Sequence, residues 1–154
     1  MEYAAGRPGR IFYVRFDTGE DLLPALESFI RTQEIASGII HLIGAVSAGS
    51  LVTGPRETVI PPDPVWTHLT GAYELVGTGM IRTGLHGPRV HLHASAGRGE
   101  TVLTGCFRKD MTVYLVIEAV IMEFSGITVT EVEDTQSGIT LPSPSSGDKN
   151  RDRS

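Results

Sequence analysis

Two histidines and the one cysteine of the chain, His91, His93 and Cys106, are the residues whose types and spacing could do chemistry. If His91-Leu92-His93 lies on a β-strand, its two imidazoles point the same way, because strand side chains alternate faces. The flanks, Arg89-Val90 and Ala94-Ser95-Ala96, suit a strand, and Gly97-Arg98-Gly99-Glu100 suits a turn before a second apolar run over 101–107. A two-residue turn at Arg98-Gly99 predicts Cys106 directly across from His91 and on its face, with Thr104 across from His93. Two nitrogens and a sulfur would then converge, leaving a fourth position free. That is a zinc ligand set, so zinc is the cofactor expected. The same residues also fit a plainer hairpin, in which the histidines are ordinary strand residues and Cys106 is a small buried hydrophobe. An odd-length turn would send Cys106 to the other face.

Other residues carry weaker signals. Glu118 interrupts the apolar run Val113-Tyr114-Leu115-Val116-Ile117, and Glu74 follows Tyr73. Either carboxylate could move protons beside a metal. Glu118 suits better a pairing with a basic residue at a subunit contact. His41 sits in an apolar run and reads as a core or interface histidine. His68 and His86 read as solvated residues near loops. No glycine-rich phosphate loop and no Ser-His-Asp pattern stands out. Gly6-Arg7-Pro8 is similar to the core of an AT-hook, whose arginines enter the minor groove. Ala5 precedes it and no basic cluster surrounds it, so an ordinary start to the domain is the better reading.

The elements that must position these residues follow from periodicity. Residues 11–16 read as a strand. A helix capped by Asp21 follows, since Pro24 is tolerated only in the first turn. Leu22, Leu26, Phe29, Ile30 and Gln33 fall on one side, and the helix should stop over 34–37, before Gly38. Residues 39–46 form a buried strand, with a bend or second short strand up to Gly54, and a proline-rich loop covers 55–66. Further strands are expected over 69–75, 77–83, 89–96, 101–107, 113–124 and 128–133. From Thr135 the composition turns polar and breaker-rich, so 135–154 reads as a disordered tail behind a domain over 9–134. One helix among many strands without a βαβ rhythm predicts an α+β fold, a compact single domain around a largely antiparallel sheet.

Bulk properties limit the function classes. The chain has 154 residues, 40% of them hydrophobic, which suits one domain with its own core. No apolar stretch reaches a membrane span, and no signal peptide is evident. One cysteine cannot form an internal disulfide, so a cytoplasmic protein is expected. The net charge of −5 disfavours broad binding to a phosphate backbone, although it leaves room for a local patch.

An ordered set of segments resembles the PPC domain (plants and prokaryotes conserved). It comprises Gly9-Arg10-Ile11-Phe12-Tyr13-Val14-Arg15-Phe16, Gly19-Glu20-Asp21-Leu22, Gly38-Ile39-Ile40 with Ile43-Gly44-Ala45-Val46, Tyr73-Glu74-Leu75, Pro88 with His91-Leu92-His93, and Leu103-Thr104-Gly105. The resemblance spans about 10–133. It implies a compact α+β domain that assembles as a homotrimer. In plants the domain accompanies AT-hooks and mediates protein contacts, whereas prokaryotic members are usually the domain alone. The fold is also similar to that of acetolactate decarboxylase. There, and in some prokaryotic relatives, a His-x-His pair and a later His hold zinc. His91 and His93 match the pair. The later His commonly follows Gly, and here Gly105 is followed by Cys106. Gly71 and Tyr73-Glu74-Leu75 match part of a plant partner-binding stretch whose Arg is replaced by Ala72.

The expectation is therefore a stand-alone PPC-type protein. It would be a homo-oligomeric binding or regulatory module with zinc on His91, His93 and Cys106. DNA is a possible partner that the acidic charge disfavours, and no membrane is involved. The alternative is a zinc-dependent lyase or hydrolase acting on a small oxygenated substrate, with Glu118 or Glu74 moving protons.

Overall fold

Burial alternates residue by residue along much of the chain, as a sheet covered on one face requires. Leu92, Ala94 and Ala96 are buried, while His93 between them is exposed. The computed structural model describes residues 1–147. Its elements are β1 (Arg7–Asp17), α1 (Leu22–Thr32), β2 (Gly38–Pro55), β3 (Pro64–Gly84), β4 (Gly87–Arg98), β5 (Thr101–Lys109), β6 (Val113–Ser125), β7 (Ile127–Asp134) and β8 (Ile139–Ser146). The strands form one sheet in the order β1-β6-β2-β5-β4-β3-β7-β8, and β2 pairs with β3 as well. All pairings are antiparallel except the single β3–β7 bridge at Thr83 and Thr130. A mostly antiparallel sheet with one helix matches the expected class, with the β content dominant.

β2 is one long strand rather than a strand and a bend. Up to Val46 it runs between β6 and β3; past a register shift between Val46 and Ala48 it runs between β3 and β5. The strands β2, β3, β4 and β5 therefore pair in a closed ring. The segments 69–75 and 77–83 are likewise parts of a single strand, because Val76 stays paired to Ile43 and Ser95 on either side.

α1 covers one face of this sheet. Its Leu22, Leu26 and Ile30 are fully buried in a cluster with Ile40, Ile81, Leu92, Phe107 and Ile121. Each such side chain contributes roughly 1.5–3 kcal/mol. Phe29 meets Phe12 edge-on at 5.4 Å. Asp21 holds the N-cap position as expected, but its side chain makes no capping bond; the Leu22 N–H donates to the Met111 carbonyl instead. The helix ends at Thr32, slightly earlier than its periodicity suggests. Glu34 takes a left-handed conformation, and Ile35 and Glu34 donate back to the carbonyls of Ile30 and Arg31. Arg10 clamps this end. It grips both carboxylate oxygens of Glu123, at 2.7 and 3.0 Å, and donates to the Gln33 carbonyl.

The opposite face of the sheet looks outward. Cross-strand pairing sets Tyr13, Val120, His41, Thr78, His93 and Cys106 in one row from β1 to β5.

The expected disorder from Thr135 is corrected in part. Ile139–Ser146 forms β8, paired with β7 over its whole length. Its prolines mislead a compositional reading, because Pro142 and Pro144 sit on an edge strand, where a missing N–H breaks no ladder. The rest of the expected tail, 148–154, lies outside the described residues.

Candidate metal centre

The β4–β5 hairpin brings the three sequence candidates together. Its loop is Gly99-Glu100 rather than Arg98-Gly99, with Gly99 at φ +58° and Arg98 paired to Thr101. The register therefore differs by two residues from the expected one: Cys106 faces His93 instead of His91, and Thr104 faces Ser95 instead of His93. Both loops contain two residues, so the parity survives and Cys106 keeps the histidines' face. One ligand atom from each of His91, His93 and Cys106 lies within 4.8 Å of the others. The Nε2 atoms of the two histidines are 3.1 Å apart.

Burial grades across the cluster. Cys106 is 5% exposed, His91 is half-buried and His93 is exposed. Desolvation pulls the His91 imidazole down to about 4, helped by the positive charge of Arg82, by His93 and by Arg108. Its ring is neutral at pH 7, the state that binds metal. Burial pushes the Cys106 thiol up, against the opposing pull of Arg108 and Arg82. A soft thiolate, two imidazoles and a side open to solvent fit zinc with an exchangeable fourth ligand. A shallow depression of about 440 Å³ adjoins His93, lined by His41, Thr78, Ser95 and Thr104 among others.

The other candidates stand apart. Glu118 lies on the outward face but is separated from β4 by β2 and β3; it accepts a hydrogen bond from Tyr13 and pairs across the strand with Arg15. Glu74 sits on β3 opposite Gly97, well along β4 from His93. His41 is exposed on the open face rather than in the core, and His86 occupies the exposed β3–β4 turn. His68 is exposed, as expected, and lies near the start of β3 opposite Ser50, whose Oγ is 3.0 Å from its Nδ1 and donates to Asp110 at 3.1 Å. This Ser-His-Asp grouping escaped the sequence reading. Its order is wrong for a nucleophile, since the histidine must bridge serine and carboxylate. Ser50 is also only 3% exposed, so the grouping ties strands together. Arg82 also went unnoticed in the sequence. Its Nη2 lies 2.9 Å from His91 Nδ1.

The sequence profile of the Plants and Prokaryotes Conserved (PCC, equally PPC) domain matches residues 3–125. The chain belongs to this family. Among solved structures, the PCC chain is similar to a metal-containing protein from Archaeoglobus fulgidus, with a TM-score of 0.82 at 24% identity, covering 92% of this chain and 99% of that one. It is similar to a plant- and prokaryote-conserved protein from Pyrococcus horikoshii, with a TM-score of 0.78 at 25% identity, covering 92% and 96%. A candidate DNA-binding protein from Bacteroides thetaiotaomicron shares the fold at 20% identity, with a TM-score of 0.76 and coverage of 89% and 96%. No curated protein matches the PCC chain. Among its described residues no helix is long and apolar enough to cross a membrane.

Proposed function

We propose that this PCC protein is a metal-binding, self-associating module in which His91, His93 and Cys106 hold zinc. The observation that carries the reading is the convergence of their ligand atoms within 4.8 Å on one face of a hairpin. The Archaeoglobus relative described as metal-containing supports it. Bound zinc would supply Lewis acidity and a water of lowered pKa. Glu118 and Glu74 lie away from the cluster, so binding is favoured over lyase or hydrolase chemistry. The acidic net charge likewise places DNA behind other partners. Elemental analysis of the native protein tests the site. Stoichiometric metal that is lost in Cys106→Ala supports it, and protein free of metal after growth in zinc refutes it.

Self-association rests on the uncovered sheet face. Tyr13 (66% exposed), Ile43 (56%) and Val76 (59%) stand there on β1, β2 and β3, with exposed Val120 of β6 between the first two and exposed Ile11 beside them. A contiguous apolar surface of this kind marks a contact site. A second and third copy of the chain are the occupants proposed, giving the trimer. Light scattering behind size exclusion should return about three times the monomer mass, and Val76→Glu should release monomers. A wild-type monomer at micromolar concentration refutes the assembly.

A further inference from the structure

Arg82 stands against His91 in a way that metal binding must undo. A guanidinium only donates hydrogen bonds, so at 2.9 Å His91 Nδ1 must be the acceptor. The proton of the neutral ring is then on Nε2, donated to His93 Nε2 at 3.1 Å. If a metal takes His91 Nε2, that proton leaves and Nδ1 gains one through solvent, setting an N–H against the guanidinium. If the metal takes Nδ1, it uses the lone pair that Arg82 holds. Either route releases Arg82.

The released cation has a matching neighbour and, among the described residues, no carboxylate partner. Arg108 follows Cys106 by two residues on β5. It is exposed, and its positive charge is felt at both His91 and Cys106. The ion pairs among the described residues are Arg10–Glu123, Arg15–Asp17 and Arg56–Asp63, and neither Arg82 nor Arg108 takes part. Arg82 also lies directly across from Arg89, a like-charge pair that costs stability. Arg89 borders a separate cleft with Glu131 and Glu133, which leaves Arg82 as the cation nearer the centre.

We infer that the centre is an oxyanion receptor coupled to its own metal: loading frees Arg82 from His91, and Arg82 with Arg108 then holds a carboxylate or phosphate group at the metal's fourth position. The inference rests on the proposed metal site. Guanidinium groups suit both anions because their forked donors match two oxygens at once. In the metal-free chain Arg82 is occupied by His91, so anion affinity is low.

Cobalt(II) replaces zinc as a coloured probe, and its visible bands report the fourth ligand. Cobalt-loaded protein is titrated separately with acetate and with inorganic phosphate, and whichever perturbs the bands at the lower concentration identifies the anion class. Saturable perturbation is expected, with the apparent Kd raised at least ten-fold in Arg82→Met and in Arg108→Met. Arg82→Met should take up cobalt at least as tightly as wild type, because no guanidinium competes at Nδ1. Unchanged anion affinity in the variants overturns the receptor, and weaker cobalt binding in Arg82→Met overturns the exchange. Arg108→Met, an exposed change, keeps the test open if Arg82→Met fails to fold. A wild type that takes up no cobalt overturns the metal site itself, and this shows before any anion is added.

Discussion

Zinc should stabilise this protein by an amount that depends on one sulfur. A tetrahedral zinc with bonds of about 2.0–2.3 Å sets its ligand atoms about 3.3–3.8 Å apart. The histidine nitrogens, at 3.1 Å, need hardly move, and the widest separation, within 4.8 Å, must close by about an ångström. Side-chain rotation suffices for that, so the folded chain is nearly pre-formed for the ion. Zinc at a hundredfold excess over its Kd then adds about 2.7 kcal/mol. For a domain of this size that is a rise in Tm of about 5–11 °C. Cys106→Ala leaves two imidazoles. A hundredfold weaker site at the same zinc concentration retains about 0.4 kcal/mol, or about 1 °C. The thiol's own hydrogen-bond contact is only a weak 4.0 Å approach to the Phe107 carbonyl, but its sulfur is buried, so the metal-free variant should melt somewhat below the metal-free wild type, and the zinc-induced shift is read within each protein. Differential scanning calorimetry with and without zinc measures all four states. An equal zinc-induced shift in wild type and Cys106→Ala would refute the three-ligand geometry, as would no shift in either.

Three further outcomes follow from the framework that carries the site. Gly44 has φ +140°, and a Cβ there would meet the Val116 carbonyl oxygen at 2.2 Å, so Gly44→Ala should cost about 2 kcal/mol or more by urea denaturation. Leu92 is fully buried between the two histidines, and Leu92→Ala should cost about 2–5 kcal/mol while also weakening zinc uptake. The Arg10 hydrogen bond holds the Glu123 carboxyl below its ordinary value of 4.5. Its contribution is therefore present above that value and is lost as pH falls below it. Wild type and Glu123→Gln should differ in urea midpoint at pH 7 and converge toward pH 3; an equal gap at both would show that the ionised pair does not matter.

The site was legible because a β-hairpin obeys arithmetic. With a period of two, His91 and His93 share a face, and any two-residue loop keeps Cys106 on it. The loop's identity was less legible, since Arg98-Gly99 and Gly99-Glu100 both offer a glycine. Only Gly99 at the first loop position, with positive φ, separates them. β8 was hidden by Pro142 and Pro144, whose meaning depends on which strand forms the sheet edge. The double use of β2 was hidden because pairing with β6 and then β5 is a tertiary choice with no local period. Arg82 and Arg108 were invisible as site residues for the same reason: the packing of β3 and β5 against β4, not sequence proximity, brings their charges to bear on His91.

The cysteine that departs from the three-histidine pattern changes the electrostatics of the centre as well as its ligand chemistry. Before metal arrives, burial keeps Cys106 in its neutral thiol form and His91 uncharged, so Arg82 and Arg108 are the fixed positive charges at the site. Zinc brings two positive charges and the thiol gives up one proton, a net gain of one. A third neutral histidine would release no proton and the gain would be two. Two arginines beside a doubly charged increment would repel the ion more strongly than beside a single one. The thiolate thus lets Arg82, Arg108 and a zinc ion share one centre, and it still leaves the loaded centre more positive than the empty one. Cys106→His should accordingly bind zinc more weakly in this chain than the native cysteine does, and Arg108→Met should recover part of that loss. Competition against a chromogenic chelator measures both, and a Cys106→His variant that binds zinc as tightly as wild type would separate the cysteine from the arginines.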